Sequence, residues 1–285
     1  MLSATEVRPA HRRRRSPYSD KQHYQEYIFQ RIEGYKNSIG RDELLRLGDE
    51  AASELQGNSE GQFVLTEILM LDSVDRLISK RLSLRPYRRW RQQFIKLRAA
   101  QRMLTHWGLE PHCPLAPLLP RIEAGDTALV VGTDAAPATY LLAAHDAAVT
   151  FIAANLGCVE RVESRMATEA LASLFESYVT PLDQALPEFL GFLSDVDLVV
   201  LDPGVLLDLS AADRLELVAD LQARSRPGGV HVLLPTCKAM SRDALRSMYP
   251  GWTPEEDPKR RRRPTESRRQ DGLVLCKPTC PADTA

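Results

Sequence analysis

Apolar positions follow two regimes along the chain. From Asp20 to about Trp107 they recur at three- and four-residue steps, the spacing of one helix face. Tyr24, Tyr27, Ile28, Ile32 and Tyr35 define a first helix that Gly40 ends. A second runs from about Arg41 to Leu55, and Gly57, Asn58 and Ser59 punctuate the chain, with Ser59 placed to cap the next helix. That third helix, about Glu60 to Arg81, is the most apolar and predicts the centre of a small bundle. The fourth, about Pro86 to Trp107, carries an apolar stripe of Tyr87, Trp90, Phe94, Leu97 and Leu104 among arginines. Aromatics interleaved with arginines suit nucleic acid. Here the aromatics share the buried stripe, which predicts a core role for them.

Gly108 to Pro120 holds four prolines and reads as a connector, with a short helical piece around Leu115–Leu119. Beyond it, short apolar runs of strand length alternate with helical runs. The predicted strands are Thr127–Val131, Ala148–Ala153, Glu176–Thr180, Val196–Leu201 and Val230–Leu234. The predicted helices between them are Ala138–His145, Cys158–Leu174, Leu182–Leu193 and Ala211–Arg224. Such alternation implies a parallel sheet with right-handed crossovers. Two last strands, Trp252–Glu256 and Gly272–Cys276, are joined by a basic loop with no helix, which predicts an antiparallel hairpin at one edge.

Composition changes this picture little. The 285 residues are 44% hydrophobic and 26% charged, ordinary for a globular protein. Apolar runs are too short to span a membrane, no apolar stretch comes after the N-terminal arginines, and the expected location is cytoplasmic. Five cysteines form no CxxC pair and the six histidines have no metal-ligand spacing. Charge is more informative. The net charge of −1 conceals an acidic body and two basic segments, one holding Arg8 and Arg12–Arg15, the other Lys259, Arg260–Arg263, Arg268 and Arg269. That division predicts non-specific contact with nucleic acid through the arginine-rich segments.

The candidate chemistry centres on DTALVVGTDAAPATYLLAA, Asp126 to Ala144. It reads as a buried strand, a turn opened by Gly132, and a helix that Pro137 can start, since proline is tolerated in the first helical turn. A strand, tight turn and helix N-terminus is how α/β proteins hold nucleotide-like ligands. Three further stretches join it: VDLVVLDPG (196–204), LQARSRPGGVHVLL (221–234), and LRSMYPGWTPEE together with GLVLCKP. Together these resemble the class I S-adenosylmethionine-dependent methyltransferases, over roughly residues 120–278. The resemblance implies an α/β fold with a mostly parallel sheet and a terminal antiparallel hairpin, here preceded by an all-helical N-terminal domain. The implied layout is a basic arm (1–19), a helical domain (20–107), a connector (108–125), the methyltransferase-like domain (126–278) and a tail (279–285).

The resemblance also implies a cofactor, S-adenosylmethionine, and site residues. Gly132, Thr133 and Asp134 fall in the family's glycine-rich first motif. The family's acid two residues before that glycine is Val130 here, and its next two glycines are Asp134 and Ala136. The ribose-binding acid after the second strand falls near Ala153, with Asn155 the nearest polar substitute; Asp183 matches the acid of the third strand. Asp202-Pro203 resembles the motif that some members set beside a nitrogen nucleophile. Gly204 and Val205 stand where the versions for base amines have a second proline and an aromatic. Asp202 is therefore the catalytic candidate, and equally reads as a residue that ends the strand and caps the loop. Between residues 122 and 213 the only basic residues are Arg161 and Arg165, a setting that favours a cationic ligand. The expected function is methyl transfer to an unknown acceptor with weak cofactor binding. The alternative is a non-catalytic relative, a scaffold or nucleic-acid-associated protein that has lost the cofactor.

Overall fold

The computed structural model describes residues 19–57, 67–171, 174–183, 185–235, 240–255 and 272–279. The arginine-rich segments lie outside them, apart from Ser19, as do Ser59, the predicted start of the third helix and the tail from Cys280. The chain divides into two compact units, parting between Leu97 and Arg98.

Four helices build the first unit: α1 (Asp20–Ser38), α2 (Arg41–Gly57), α3 (Glu67–Arg81) and α4 (Tyr87–Gln101), the last continuing past the division. Ser19 and Gln22 form a capping box on α1, each side chain bonded to the other's backbone N–H. Ile32, Leu47, Ala51, Val74, Leu77 and Ile78 make the core. A second, aromatic layer joins α1 to α4: Trp90 is buried, stacks on Phe94 at 4.6 Å and lies 5.2 Å from Tyr24. The predicted fourth helix extends to Trp107, but α4 stops at Gln101. The Trp107 indole N–H donates to the Gln101 carbonyl at 2.5 Å, and a separate 3₁₀ turn, Leu104–Trp107, closes on left-handed Gly108.

The second unit is built on seven strands: β1 (Thr127–Val131), β2 (Ala148–Ala153), β3 (Phe175–Val179), β4 (Val196–Leu201), β5 (Ser225–Leu233), β6 (Thr253–Pro254) and β7 (Leu273–Cys276). Their order is β3-β2-β1-β4-β5-β7-β6. The first five are mutually parallel and β7 runs against both neighbours. Alternate residues feed two cores, because successive side chains of a strand point to opposite faces. Ala128, Val130, Phe151 and Val200 pack with α5 (Ala136–Ala144) and α6 (Leu156–Thr168). Leu129, Val131, Ile152 and Leu201 pack with α7 (Ala211–Arg224) and α8 (Arg242–Ser247). The sheet is covered on both sides, which is why its strands read as continuous apolar runs.

Several predicted elements are corrected. The helix over Leu182–Leu193 does not form; the described residues there are irregular apart from a 3₁₀ turn at Glu188–Leu190. Pro187 explains this, since it removes a helical donor, clashes with the preceding turn and biases Leu186 away from helix. Leu182, Leu186 and Leu190 are nevertheless buried on the α7 face. Their backbone is held instead by the Asp220–Arg224 pair on α7: Asp220 accepts the Leu186 N–H at 3.0 Å, and Arg224 donates to the Leu190 carbonyl at 2.5 Å. The predicted Cys158–Leu174 helix ends at Thr168, where Ala170 turns left-handed and Leu171 N–H closes back on the Met166 carbonyl at 2.8 Å. The Pro-Gly-Gly stretch lies inside β5 rather than before it. It forms an irregularity between the Val196–Ser225 and Leu198–Val230 pairs, with Gly228 at φ 75°. The short helix α8, capped by Ser241, has no counterpart among the predicted elements.

His231, fully buried on β5, sits in a chain of hydrogen bonds that leaves one consistent assignment. The Ser225 hydroxyl donates to the Leu221 carbonyl at 3.0 Å, so it accepts from His231 Nε2–H at 2.7 Å, and Tyr249 O–H donates to Nδ1 at 3.1 Å. Burial, and secondarily the Lys277 charge, push the imidazole down from 6.5 to about 3. A histidine held neutral contributes stability above its unfolded value that is lost as pH falls toward the folded one. Between pH 6.5 and about pH 4.5 this loss is about 2–3 kcal/mol. Urea unfolding of His231→Gln at both pH values should show a shallower pH dependence than the wild type by that amount.

Candidate cofactor site

Strand β1 has β2 on one side and β4 on the other, so the connections from β1 and β4 leave to opposite faces. Ligands of open α/β sheets bind outside the strand C-termini at such a reversal. The two seams extend by one bond each past the strands: Gly132 N–H donates to the Ile152 carbonyl at 2.9 Å and Asp202 N–H to the Val131 carbonyl at 2.8 Å. Gly132 then takes φ 103°, a conformation glycine adopts without strain, and a 3₁₀ turn, Thr133–Ala135, leads into α5 with Pro137 in its first turn. Thr133 and Asp134 are exposed there, and no side chain caps the N-terminus of α5.

Asp202 organises this corner. It is 4% exposed, and both its oxygens are engaged: Oδ2 accepts the Asp134 N–H at 3.1 Å and Oδ1 the Gly204 N–H at 2.8 Å, capping a 3₁₀ turn over Pro203–Leu206. Burial pushes its carboxyl up from the ordinary value; the two N–H bonds oppose that, and the nearby Asp134 charge adds to it. The missing second proline now has a reason. Residue 204 must supply an N–H, which proline lacks, and a Cβ there would lie 2.9 Å from Asp202 Oδ1.

Gly132 is glycine for the same contact. A Cβ on it would lie 2.5 Å from the Asp202 Cβ and 2.8 Å from Val205 Cγ2. The bare face of the turn is thus covered by Asp202 and Val205, neither of which the motif alone assigns a packing role. The D-x-G spacing of 202–204, an acid two residues before a glycine N–H, is the signal that carries it.

The remaining candidates sit on the same edge but apart from this trio. Asn155 lies beyond β2, exposed, and its Oδ1 accepts the Cys158 N–H at 2.9 Å as the N-cap of α6. One of the two acceptor sites of the oxygen that would take a ribose hydroxyl proton is therefore engaged. Asp183 lies four residues past β3, exposed, in the segment that Pro187 keeps from being helical. At about 4.8 Å per strand, β2 and β3 stand about 5 and 10 Å from β1. The structure brings Gly132, Thr133, Asp134 and Asp202 together, and leaves Asn155 and Asp183 one and two strands away.

At the opposite end of the sheet a cavity of about 90 Å³ lies among Arg121, Asp126, Asp197 and Arg226. It is well under the roughly 300 Å³ at which ligand pockets begin. Asp197 is occupied by the Thr127 N–H at 2.8 Å and by Arg226.

The order β3-β2-β1-β4-β5-β7-β6, with β7 reversed, is that of the class I S-adenosylmethionine-dependent methyltransferases, and this chain has their fold. No protein-family model matches the sequence, and no curated protein matches it. Among solved structures, a TehB-like SAM-dependent methyltransferase from Corynebacterium glutamicum is 16% identical, covering 67% of this chain and 97% of its own, with a TM-score of 0.44. The N-methyltransferase NodS from Bradyrhizobium japonicum is 15% identical, covering 66% and 96%, with a TM-score of 0.42. TehB from Haemophilus influenzae is 13% identical, covering 57% and 61%, at 0.41.

The residues fit S-adenosylmethionine at one end. The exposed Asp134 carboxylate suits its ammonium, and the turn leads into a helix N-terminus free of side-chain caps. The ribose end is poorly served, with buried Ala153 in place of an acid and the Asn155 oxygen engaged. Because the face of Gly132 is already filled, Gly132→Ala should lower stability by about 2–4 kcal/mol, from overpacking against Asp202 and a left-handed alanine. Denaturant unfolding measures this; a variant as stable as the wild type would contradict the packing described.

Proposed function

We propose that the protein is an S-adenosylmethionine-dependent methyltransferase that holds its cofactor weakly. The observation that supports this is the turn from β1 into α5 at the strand-order reversal, with two carboxylates, Asp134 and Asp202, and no cation among its residues. When bound, the cofactor supplies a methyl group on an already activated sulfonium, so the protein's task is positioning and exclusion of water. Asp134 would hold the ammonium, with Thr133 beside it. Asp202 has about four acceptor sites and uses two on backbone, so it retains capacity to orient a nitrogen nucleophile. Asn155 would offer its amide N–H₂ to a ribose oxygen, and Asp183 would lie toward the base.

A second reading has its own support. Both Asp202 oxygens are met by backbone N–H groups and the face of Gly132 is filled without any ligand, as expected of a non-catalytic relative that kept the fold. One titration separates the two. Calorimetry with S-adenosylmethionine should show binding for the wild type and a loss of about 10- to 100-fold for Asp134→Lys, the range of one charge-assisted hydrogen bond. That substitution keeps the backbone N–H that Asp202 accepts, and its side chain is exposed, so the fold is preserved. No heat from the wild type at millimolar cofactor ends the enzymatic reading.

A further inference from the structure

The methyltransferase reading makes no use of the outer face of α4. Arg89, Gln92 and Lys96 are spaced by three and four residues within the helix, so they share one side, with Arg88 beside them and Arg85 just before the first turn. All five are exposed. From residue 82 to residue 109 the chain has no acidic side chain. Among the described residues none of Arg88, Arg89 and Lys96 is paired with a carboxylate, whereas the neighbouring Arg91 is bonded to Asp20 at 2.7 Å. Among the described residues the Arg85 guanidinium is bonded to the neutral Gln93 side chain and to no carboxylate. At 1.5 Å per residue the helical part, Arg88 to Lys96, is about 12 Å long.

Four like charges this close, Arg85, Arg88, Arg89 and Lys96, repel one another, and the fold tolerates them because the other side of the helix is anchored. Trp90 is buried on Phe94 and Tyr24, and the Tyr24 hydroxyl donates to the Arg85 carbonyl at 3.0 Å. The row is therefore held facing outward in fixed register. We propose that this face of α4 docks on the phosphate backbone of a nucleic-acid duplex, without sequence preference. A duplex presents one negative charge per about 1.7 Å of axis, a density that rewards a straight row of cations by counterion release.

Two other polyanions fit less well. A membrane-surface helix needs a continuous free apolar face to insert; on α4 Trp90 is buried against α1, and the exposed Ile95 and Leu97, two residues apart, point to different sides. Single strands are gripped by stacking successive bases on a series of exposed aromatics; on α4 Trp90 and Phe94 are packed on each other and Tyr87 is the one exposed aromatic. The surface matches phosphates, not bases or acyl chains.

The test is fluorescence anisotropy of the full chain with a labelled random-sequence DNA duplex over a salt series. Replacing Arg85, Arg88, Arg89 and Lys96 by Gln should weaken binding at low salt by about tenfold or more and flatten the log–log salt slope by about 3–4. A control replaces Arg31, Arg41, Arg46 and Arg76 by Gln, removing the same charge from exposed sites elsewhere in the helical unit. It should stay within about twofold of the wild type. Arg88→Glu alone, with melting temperature recorded, guards against a folding defect in the fourfold variant and should weaken binding in the same direction. Equal losses in the two fourfold variants would mean bulk charge only and overturn the proposal. So would no duplex binding by the wild type, a preference for single strands, or phosphatidylserine vesicles binding where the duplex does not.

Discussion

The corner where β1 meets β4 depends on a single carboxylate. Asp202 has its N–H on β1, one oxygen on the turn that starts α5 and the other on its own loop. Removing one partner of such a set leaves buried groups unsatisfied, a cost of about 1–3 kcal/mol for each. The contact fixes the neighbouring sequence as well. Residue 132 must be glycine because Asp202 lies against it, and residue 204 must carry an N–H and no Cβ because Asp202 folds back over it. Three positions of two motifs that are 70 residues apart are thus one packing unit.

That unit explains what is legible in the sequence and what is not. Strands β1, β2 and β4 and helix α7 are where their apolar patterns place them, because a sheet covered on both faces imposes strand-length apolar runs whatever the ligand. The antiparallel pairing of β6 and β7 at the edge is legible from their two apolar runs. The segment between β3 and β4 reads as a helix because Leu182, Leu186 and Leu190 keep helical spacing while their backbone is held by α7. Periodicity records which side chains are buried, and Pro187 decides how the chain carries them. Trp107 shows the same limit, since a tertiary hydrogen bond to Gln101 ends α4 where the apolar stripe continues.

For the candidate site, residue types are legible and their duties are not. Gly132 and Asp202 are the residues that the resemblance singles out, and Asp202 covers the face of Gly132 while its oxygens hold the Asp134 and Gly204 N–H groups. Asn155 is a polar residue at the end of β2, and its oxygen serves α6. A short polar side chain at a strand-to-helix junction has two possible employers, the ligand and the backbone, and only geometry separates them.

The two ends of the sheet differ in a way that bears on the protein's behaviour in company. One border strand, β6, is two residues long and one of these is Pro254, which has no N–H to offer. A second chain cannot add a strand there. The other border, β3, keeps a five-residue edge interrupted at its second position by Glu176. Self-templated growth of the sheet is closed on one side by length and backbone chemistry, and on the other it has to desolvate a carboxylate. Of the two borders, β3 is the one that keeps backbone groups for another strand to meet.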